Sequence, residues 1–228
     1  MPESATRRRV RSLPPPRRVR RPRARAGDPG SRGRLFAAAS AEFARHGFAG
    51  ANVDRIAAAA RVNKAMIYYH FASKLALYQE ILGDMFHAVA GRVRDVAASD
   101  ALPDDKLKRF VEAIADEAEA RPHFPPIWFR EIAEGGTHLS DQTLKDVASV
   151  VQMLVSILQE GVRQRRFRPV NPILVHAGIV GPLLLFFASG PLRLRLQRAG
   201  IPAAAAVARE DVVGYVQRVS LGVLHGTL

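Results

Sequence analysis

The chain has 228 residues, a formal net charge of +13 and no cysteine. The lack of cysteine excludes disulfides and thiolate metal sites, and the positive charge favours an anionic partner such as nucleic acid. The charge is unevenly placed, because residues 1–26 hold ten arginines and one glutamate and so contribute +9 of the +13.

This first segment, MPESATRRRVRSLPPPRRVRRPRARA, contains five prolines and shows no apolar periodicity. Because such a composition cannot bury enough apolar surface to fold, we predict that residues 1–28 are a disordered tail. An arginine-rich arm of this kind either adds nonspecific phosphate contacts or is a dispensable extension, and the sequence leaves both open. No apolar stretch follows the arginines, so we expect no signal peptide.

Residues 29–76 are predicted to form three short helices around a small core. The first has an apolar face and ends near Gly47, since glycine readily adopts the left-handed conformation that terminates a helix. Its apolar positions recur at helical spacing and are Leu35, Phe36, Ala39 and Phe43.

A tight turn separates the next two helices, which is the layout of a helix-turn-helix that places a helix in the DNA major groove. Asn52 and Asn63 are expected to cap these helices, because their side-chain oxygens accept from unpaired amides of the first turn. In the second helix the spacing of Ile67 and Phe71 directs them to the first helix, and Tyr68 is open between core and surface. The residues left to face outward are Lys64, Ala65, Met66, Tyr69 and His70.

The string over about residues 30 to 78 resembles the signature of the TetR (tetracycline repressor-like) family of bacterial transcription regulators. The residues that carry the resemblance are Ile56, Ala57, Val62, Ile67, Tyr68, Tyr69, His70, Phe71 and Lys74. It implies a homodimer that binds a double-stranded DNA operator in the bacterial cytoplasm. Two positions depart from the pattern: Asn52 replaces the more usual threonine, and Arg61 replaces the turn glycine. A left-handed turn at Arg61 costs about 1 kcal/mol.

The resemblance also implies individual roles. Equivalents of Lys64, Ala65, Met66 and Tyr69 lie nearest base edges in that family, and those of Asn52, Tyr68, His70 and Lys74 hold phosphates. Lys64 suits either a phosphate or a guanine edge, and His70 either donates to phosphate or caps the helix end. With the two helix starts included, the predicted DNA-binding residues are Asn52, Val53, Asn63, Lys64, Ala65, Met66, Tyr68, Tyr69, His70 and Lys74.

Residues 77–228 are predicted to be a helical effector-binding and dimerisation domain, which makes the fold all-α. Proline and glycine breaks give helices over about residues 73–97, 103–120, 122–134 and 141–166. The resemblance implies an effector pocket here, and its aromatic and methionine lining favours a small apolar or aromatic ligand. The alternative is that these side chains are ordinary core. The candidates are Met85, Phe86, Val89, Phe110, Ile114, Phe124, Ile127, Trp128, Met153, Ile157 and His176.

The longest apolar stretch, Ile173 to Ala188, has 16 residues and falls short of the ~20 that span a bilayer, so we expect no membrane contact. A helix that is apolar on all sides needs more cover than one small domain offers. We therefore predict that it pairs with a C-terminal valine stripe, and with the same two helices of a second copy, as a four-helix bundle. The predicted interface residues are Leu183, Phe187, Val212, Val216, Val219 and Val223.

The sequence contains no glycine-rich phosphate loop, nucleophile elbow or HExxH motif, so we predict neither an enzyme nor a bound cofactor. His87, His123 and His138 have no partner at metal-binding spacing, and no metal is predicted. Arg130 and Glu131 are expected to form a surface ion pair in preference to a ligand contact. The favoured function is a repressor released from a palindromic operator by its ligand. The competing one is a nonspecific architectural nucleic-acid-binding protein driven by the tail.

Overall fold

The computed structural model describes residues 29–227, so the predictions about the arginine-rich tail lie outside the described residues. Within this range the chain is helical and contains no strand, as the all-α prediction requires. In chain order the helices are α1 (Pro29–Gly50), α2 (Val53–Ala60), α3 (Ala65–Phe71), α4 (Lys74–Ala98), α5 (Pro103–Ala120), α6 (Phe124–Ala133), α7 (Asp141–Arg163), α8 (Pro172–Ala188), α9 (Gly190–Arg198), α10 (Ala203–Ala206) and α11 (Arg209–His225). We call α1–α3 the head and α5–α11 the body, with α4 joining them.

Local signals in the sequence set the ends of the head helices. Gly47 breaks α1 with a φ of 67°, a value that favours glycine. The Asn52 side chain accepts from the amides of Asp54 and Arg55 and so caps α2. Arg61 then takes the left-handed conformation with a φ of 57°, as the turn requires.

Side chains also cap the first turns of α3 and α4. The Asn63 side chain accepts from the Ala65 amide at 3.0 Å and holds the start of α3. Ser73 accepts from the Ala76 amide at 3.0 Å and starts α4. The helix-turn-helix is therefore fixed by polar contacts at both of its ends.

One apolar core holds the head together and extends beyond it. Leu35 and Phe43 from α1, Ile56 from α2 and Ile67 from α3 are all fully buried in it. The first turns of α4 contribute Leu77, Tyr78, Ile81 and Leu82, and α6 contributes Ile127. Because α4 and α6 both enter this core, the head is packed directly against the body.

The body buries its apolar side chains among α4, α5, α7, α8 and α11. Helix α8 covers only one of its sides in this way, through Val175, Ile179, Leu183 and Leu184. On the opposite side Leu174 is 72% exposed and Leu185 is 60% exposed. No single helix in residues 29–227 is long and apolar enough to cross a membrane, and only α8 and α9 together, bent by 60°, meet that test of length and composition.

Candidate nucleic-acid interface

Helix α3 separates its residues into two faces. Ile67 and Phe71 point into the head core, while Tyr68 is 50% exposed and Tyr69 is 70% exposed. Two tyrosines on the surface of a seven-residue helix are available to a partner, because neither belongs to the apolar core of the head. The exposed residues between positions 52 and 69 are Asn52, Asp54, Arg55, Ala58, Ala59, Arg61, Asn63, Lys64, Ala65, Tyr68 and Tyr69.

Three of the predicted DNA-binding residues are placed differently from the prediction. Met66 is only 5% exposed and lies in the head core, so it is not available to a base. Val53 is half-buried and packs against the same core. His70 is half-buried and its Nε2 is 2.8 Å from the Ser31 hydroxyl, so this nitrogen is already engaged within the head.

The physical reason is the packing around α3, because the helical period alone does not separate these residues. Each residue rotates by about 100° around the helix axis, so Met66 and Tyr68 lie on opposite flanks of Ile67 and equally far from it. Met66 and His70 are four residues apart and share one flank, which the head core and Ser31 cover. Ala65, Tyr68 and Tyr69 share the other flank, which is exposed.

Two lysines flank the exposed face of α3. Lys64 Nζ lies 3.0 Å from an Asp54 carboxylate oxygen, and this hydrogen bond raises the pKa of Lys64. Lys74 Nζ lies 4.8 Å from the centre of the Phe48 ring and donates to the Ala49 carbonyl at 3.4 Å. Both ammonium groups therefore lie against the protein, at the two ends of the tyrosine face.

Glu42 of α1 fixes the position of the first turn of α2 relative to α1. Its carboxylate accepts a hydrogen bond from the backbone amide of Asn52 at 3.0 Å and another from Arg55 Nε at 2.8 Å. Burial tends to raise the pKa of Glu42, but the hydrogen bonds from Arg55 and Asn52 and the nearby positive charge outweigh it and lower the pKa. The carboxylate is therefore ionised at neutral pH and orients Arg55 at the edge of the interface.

A small apolar cavity of about 50 Å³ lies in the body. Six predicted pocket residues line it, namely Phe86, Val89, Ile114, Phe124, Trp128 and His176. Burial lowers the pKa of His176, so its imidazole is neutral at neutral pH. This side chain is the polar group in an otherwise apolar lining.

The other five predicted pocket residues lie elsewhere. Phe110 and Ile157 are fully buried in the body core, and Met153 packs against it, because α5 and α7 turn these side chains towards each other and not towards the cavity. Met85 and Ile127 line a second cavity of about 170 Å³ between the head and the body. A larger groove of about 800 Å³ is open and lined mostly by polar side chains, which does not suit an apolar ligand.

The predicted dimer residues also divide into two groups. Leu183 and Val216 are 0% and 1% exposed within one chain, because α8 and α11 pack these side chains onto the body core, so neither is available to a second copy. Phe187 and Val212 are half-buried against the same core. Val219 and Val223 are also half-buried.

A polar cluster that the sequence pattern does not predict lies at the junction of head and body. Glu131 is fully buried and accepts from the Tyr78 hydroxyl at 3.1 Å, so the expected surface ion pair with Arg130 is wrong. Arg130 instead donates to the Arg45 carbonyl. Burial, and then the charge of Glu131, raises the pKa of Tyr78 far above its usual range, which keeps the phenol as a donor.

His138 is part of the same cluster, so the prediction that it has no partner at metal-binding spacing is wrong in space, although the spacing in sequence is irregular. Its Nδ1 lies 3.1 Å from a Glu131 oxygen and 3.4 Å from a Glu134 oxygen. Glu134 follows the last residue of α6, and Gly135 and Gly136, both with a positive φ, turn the chain so that His138 lies against Glu131. The cluster therefore depends on this turn, and the helical spacing does not predict it.

Comparison with known proteins agrees with this geometry. Residues 35–81 match the sequence profile described as bacterial regulatory proteins, tetR family, and residues 103–208 match the tetracyclin repressor-like C-terminal domain. Over 113 residues the chain is 38% identical to the HTH-type transcriptional repressor SCO4008 of Streptomyces coelicolor. That alignment covers 49% of this chain and 55% of the repressor, so the chain spans about half the length of this relative.

Two regulators are among the solved structures that share the fold. The ketosteroid transcriptional regulator KstR2 of Mycobacterium tuberculosis superposes with a TM-score of 0.67 at 24% identity, over 85% of this chain and 94% of that one. The regulator FadR of Bacillus subtilis, solved with stearoyl-CoA, superposes with a TM-score of 0.65 at 15% identity, over 85% and 99%. The two matched profiles together cover more than half of the chain and include the helix-turn-helix described above. The chain therefore belongs to the TetR family of bacterial regulatory proteins.

Proposed function

We propose that this protein is a transcriptional repressor that binds a palindromic operator as a homodimer and is released by a small apolar or aromatic ligand. The observation that carries the proposal is the pair of exposed tyrosines, Tyr68 and Tyr69, on a short helix whose other side is buried. Because the core holds α3 from behind, these side chains enter a groove on a rigid support.

The chemistry of the exposed face assigns the contacts. The methyl of Ala65 and the ring of Tyr69 are apolar and suit thymine methyls in the major groove. The groups that suit phosphate oxygens on either side of the groove are the ammonium groups of Lys64 and Lys74, the side-chain amide of Asn52 and the Tyr68 hydroxyl. Asp54 holds Lys64 in the free protein, and a phosphate or a guanine edge takes the place of that carboxylate on binding.

The homodimer uses the sides of α8 and α11 that one chain leaves open. On α8, Leu174, Gly178, Gly181 and Leu185 follow one another at helical spacing along one stripe. Neither glycine would place a Cβ within 4 Å of another group of the chain, so this stripe is open to a second backbone. Tyr215 on α11 is 57% exposed beside it. A two-fold dimer through these helices would place two α3 helices on half-sites about 34 to 36 Å apart or more.

The effector belongs in the apolar cavity beside His176. Sites for drug-sized ligands usually measure about 300 to 1,000 Å³, far more than the cavity of about 50 Å³ in this structure. An effector therefore has to prefer a state in which the helices around the cavity have moved apart. The ligands named for relatives support an apolar class, since FadR was solved with stearoyl-CoA and KstR2 is a ketosteroid regulator.

Release from DNA follows from that preference. Helix α4 lines the cavity through Phe86 and Val89 and enters the head core through Leu77 and Ile81. A ligand that favours the opened cavity shifts α4 and changes the spacing of the two heads, and only its differential affinity for the two states drives the shift. Repression is supported by the name of the relative SCO4008, a transcriptional repressor.

Selection of bound duplexes from a random DNA pool tests the proposal. The full chain should enrich a palindrome, and Tyr69→Ala should lose that enrichment while keeping weak binding to any duplex. A chain that binds all duplexes alike, with Tyr69→Ala indistinguishable from the parent protein, would instead be the nonspecific binder driven by the arginine-rich segment.

A further inference from the structure

The polar cluster at the junction of head and body has the chemistry of a metal site. Glu131 and Glu134 lie on the last turn and end of α6, and His138 lies in the segment that leads to α7. Each offers one ligand atom, and the three atoms lie within 4.8 Å of one another. We propose that Glu131, Glu134 and His138 bind a divalent transition-metal ion, with Zn²⁺ the best fit.

The distances agree with one ion shared by the three groups. A tetrahedral Zn²⁺ with bonds of about 2.0 to 2.2 Å holds its ligand atoms about 3.4 Å apart. His138 Nδ1 lies 3.1 Å from Glu131 Oε2 and 3.4 Å from Glu134 Oε2. The imidazole nitrogen and the two carboxylates are therefore spaced as ligands before any ion binds.

The burial of Glu131 gives an independent reason for a cation. Its side chain is fully buried, and within residues 29–227 it pairs with His138, which is charged only when protonated, and with no lysine or arginine. A buried carboxylate without a permanent cation is costly. Hydrogen-bond contacts with the Tyr78 hydroxyl, with the His138 backbone amide at 2.8 Å and with His138 Nδ1 at 3.1 Å compensate only in part. A divalent ion supplies the missing positive charge.

The surroundings of the three ligands also fit. Tyr78 and the His138 amide orient Glu131 from behind, as second contacts orient ligands in metal sites. The Thr137 hydroxyl lies 3.4 Å from His138 Nδ1 and adds a neutral oxygen beside the site. Glu134 is 42% exposed, which leaves a path for the ion and a position for water. An imidazole ligand disfavours Mg²⁺ and Ca²⁺, which prefer oxygen atoms.

The position of the site gives bound metal a structural consequence. The His138 ring contacts the Phe48 ring, with 4.2 Å between centroids, and Tyr78 lies in the head core. An ion that holds His138 and Glu131 therefore stabilises the packing of the body on the head. An ion that binds the folded chain alone also raises its melting temperature. These effects do not depend on DNA binding.

The test is a calorimetric titration of Zn²⁺ into the untagged full chain after treatment with a chelator. We expect one site per chain, a higher melting temperature with Zn²⁺, and no heat with Mg²⁺. Glu134→Gln and His138→Gln should each weaken binding at least about tenfold, and Tyr78→Phe, which removes an orienting contact, should weaken it about tenfold. His123→Gln, an exposed histidine at the other end of α6, is the matched control and should bind as the parent does.

Glu134 is exposed, so its variant is expected to fold, and circular dichroism verifies this for every variant. If the parent protein binds no Zn²⁺, the site does not exist. If Glu134→Gln and His138→Gln bind as tightly as His123→Gln, the ion is held elsewhere. Both results would leave the proposed repressor function untouched, because neither measurement involves DNA.

Discussion

In the head, the side chains that fill the core and those offered to solvent lie on opposite sides of α3. In the body, apolar side chains from the same helices both fill the core and line the cavity. Tyr69 is 70% exposed while its neighbour Ile67 is fully buried, but Phe86 at the cavity is 7% exposed and Phe110 in the core is 0% exposed. A partner for the head can therefore be inferred from exposure, whereas a ligand for the body needs the shape of the cavity.

The largest expected effect comes from the head core. Phe43 is fully buried, and its ring meets that of Tyr78 with 4.8 Å between centroids. Phe43→Ala should lower the free energy of unfolding by about 3 to 5 kcal/mol, because it removes buried area and leaves a cavity. Urea denaturation measures the change. Tyr69→Ala, on the exposed side, should stay within about 0.5 kcal/mol of the parent, and equal losses for both variants would erase the distinction between the two faces.

The next effect concerns base reading by the exposed face. Tyr69→Ala should weaken binding to the selected operator by about 1 to 3 kcal/mol and leave binding to random duplex nearly unchanged. Fluorescence anisotropy on the two duplexes gives both values. Similar losses on operator and random DNA would show that the ring reads no base.

A smaller and uniform effect is expected at the edge of the same face. Lys74→Ala should weaken operator and random DNA alike and reduce the slope of log affinity against log salt by about 1, because one phosphate contact is lost. Lys145→Ala removes an exposed lysine from α7 and is the matched control. A loss of affinity confined to the operator would show that Lys74 contacts a base and not a phosphate.

The two regions also differ in how much their sequence predicts. The caps at Asn52, Asn63 and Ser73 depend on contacts within three residues, so the sequence alone predicts where α2, α3 and α4 begin. Helix α8 carries apolar residues on every side, and its sequence therefore holds no signal that turns Leu183 inward and Leu185 outward.

Contacts between distant segments were the hardest to foresee. The hydrogen bond from Tyr78 to Glu131 joins residues 53 positions apart, and nothing in the local pattern of either helix predicts the burial of that carboxylate. The lining of the cavity is equally hard to predict. Phe86 on α4 and Phe110 on α5 each occupy an apolar position of their own helix, and only the packing of the helices places Phe86 at the cavity and Phe110 in the core.

The smallest expected effect tests the turn that joins α2 to α3. Arg61 has a φ of 57° and a ψ of 39°, a conformation that disfavours side chains with a Cβ. Arg61→Gly removes that cost of about 1 kcal/mol, but glycine also gains about 0.4 to 1 kcal/mol of freedom in the unfolded chain, so the net change against the parent is small.

Arg61→Ala separates the backbone from the side chain, because alanine keeps the Cβ and loses the guanidinium. Strain at the Cβ makes the glycine variant more stable than the alanine variant, by less than about 1 kcal/mol once the unfolded chain is included. Urea denaturation of the pair gives this difference directly. A glycine variant clearly less stable than the alanine variant would mean that a Cβ carries no strain at this turn, and the prediction would then be wrong.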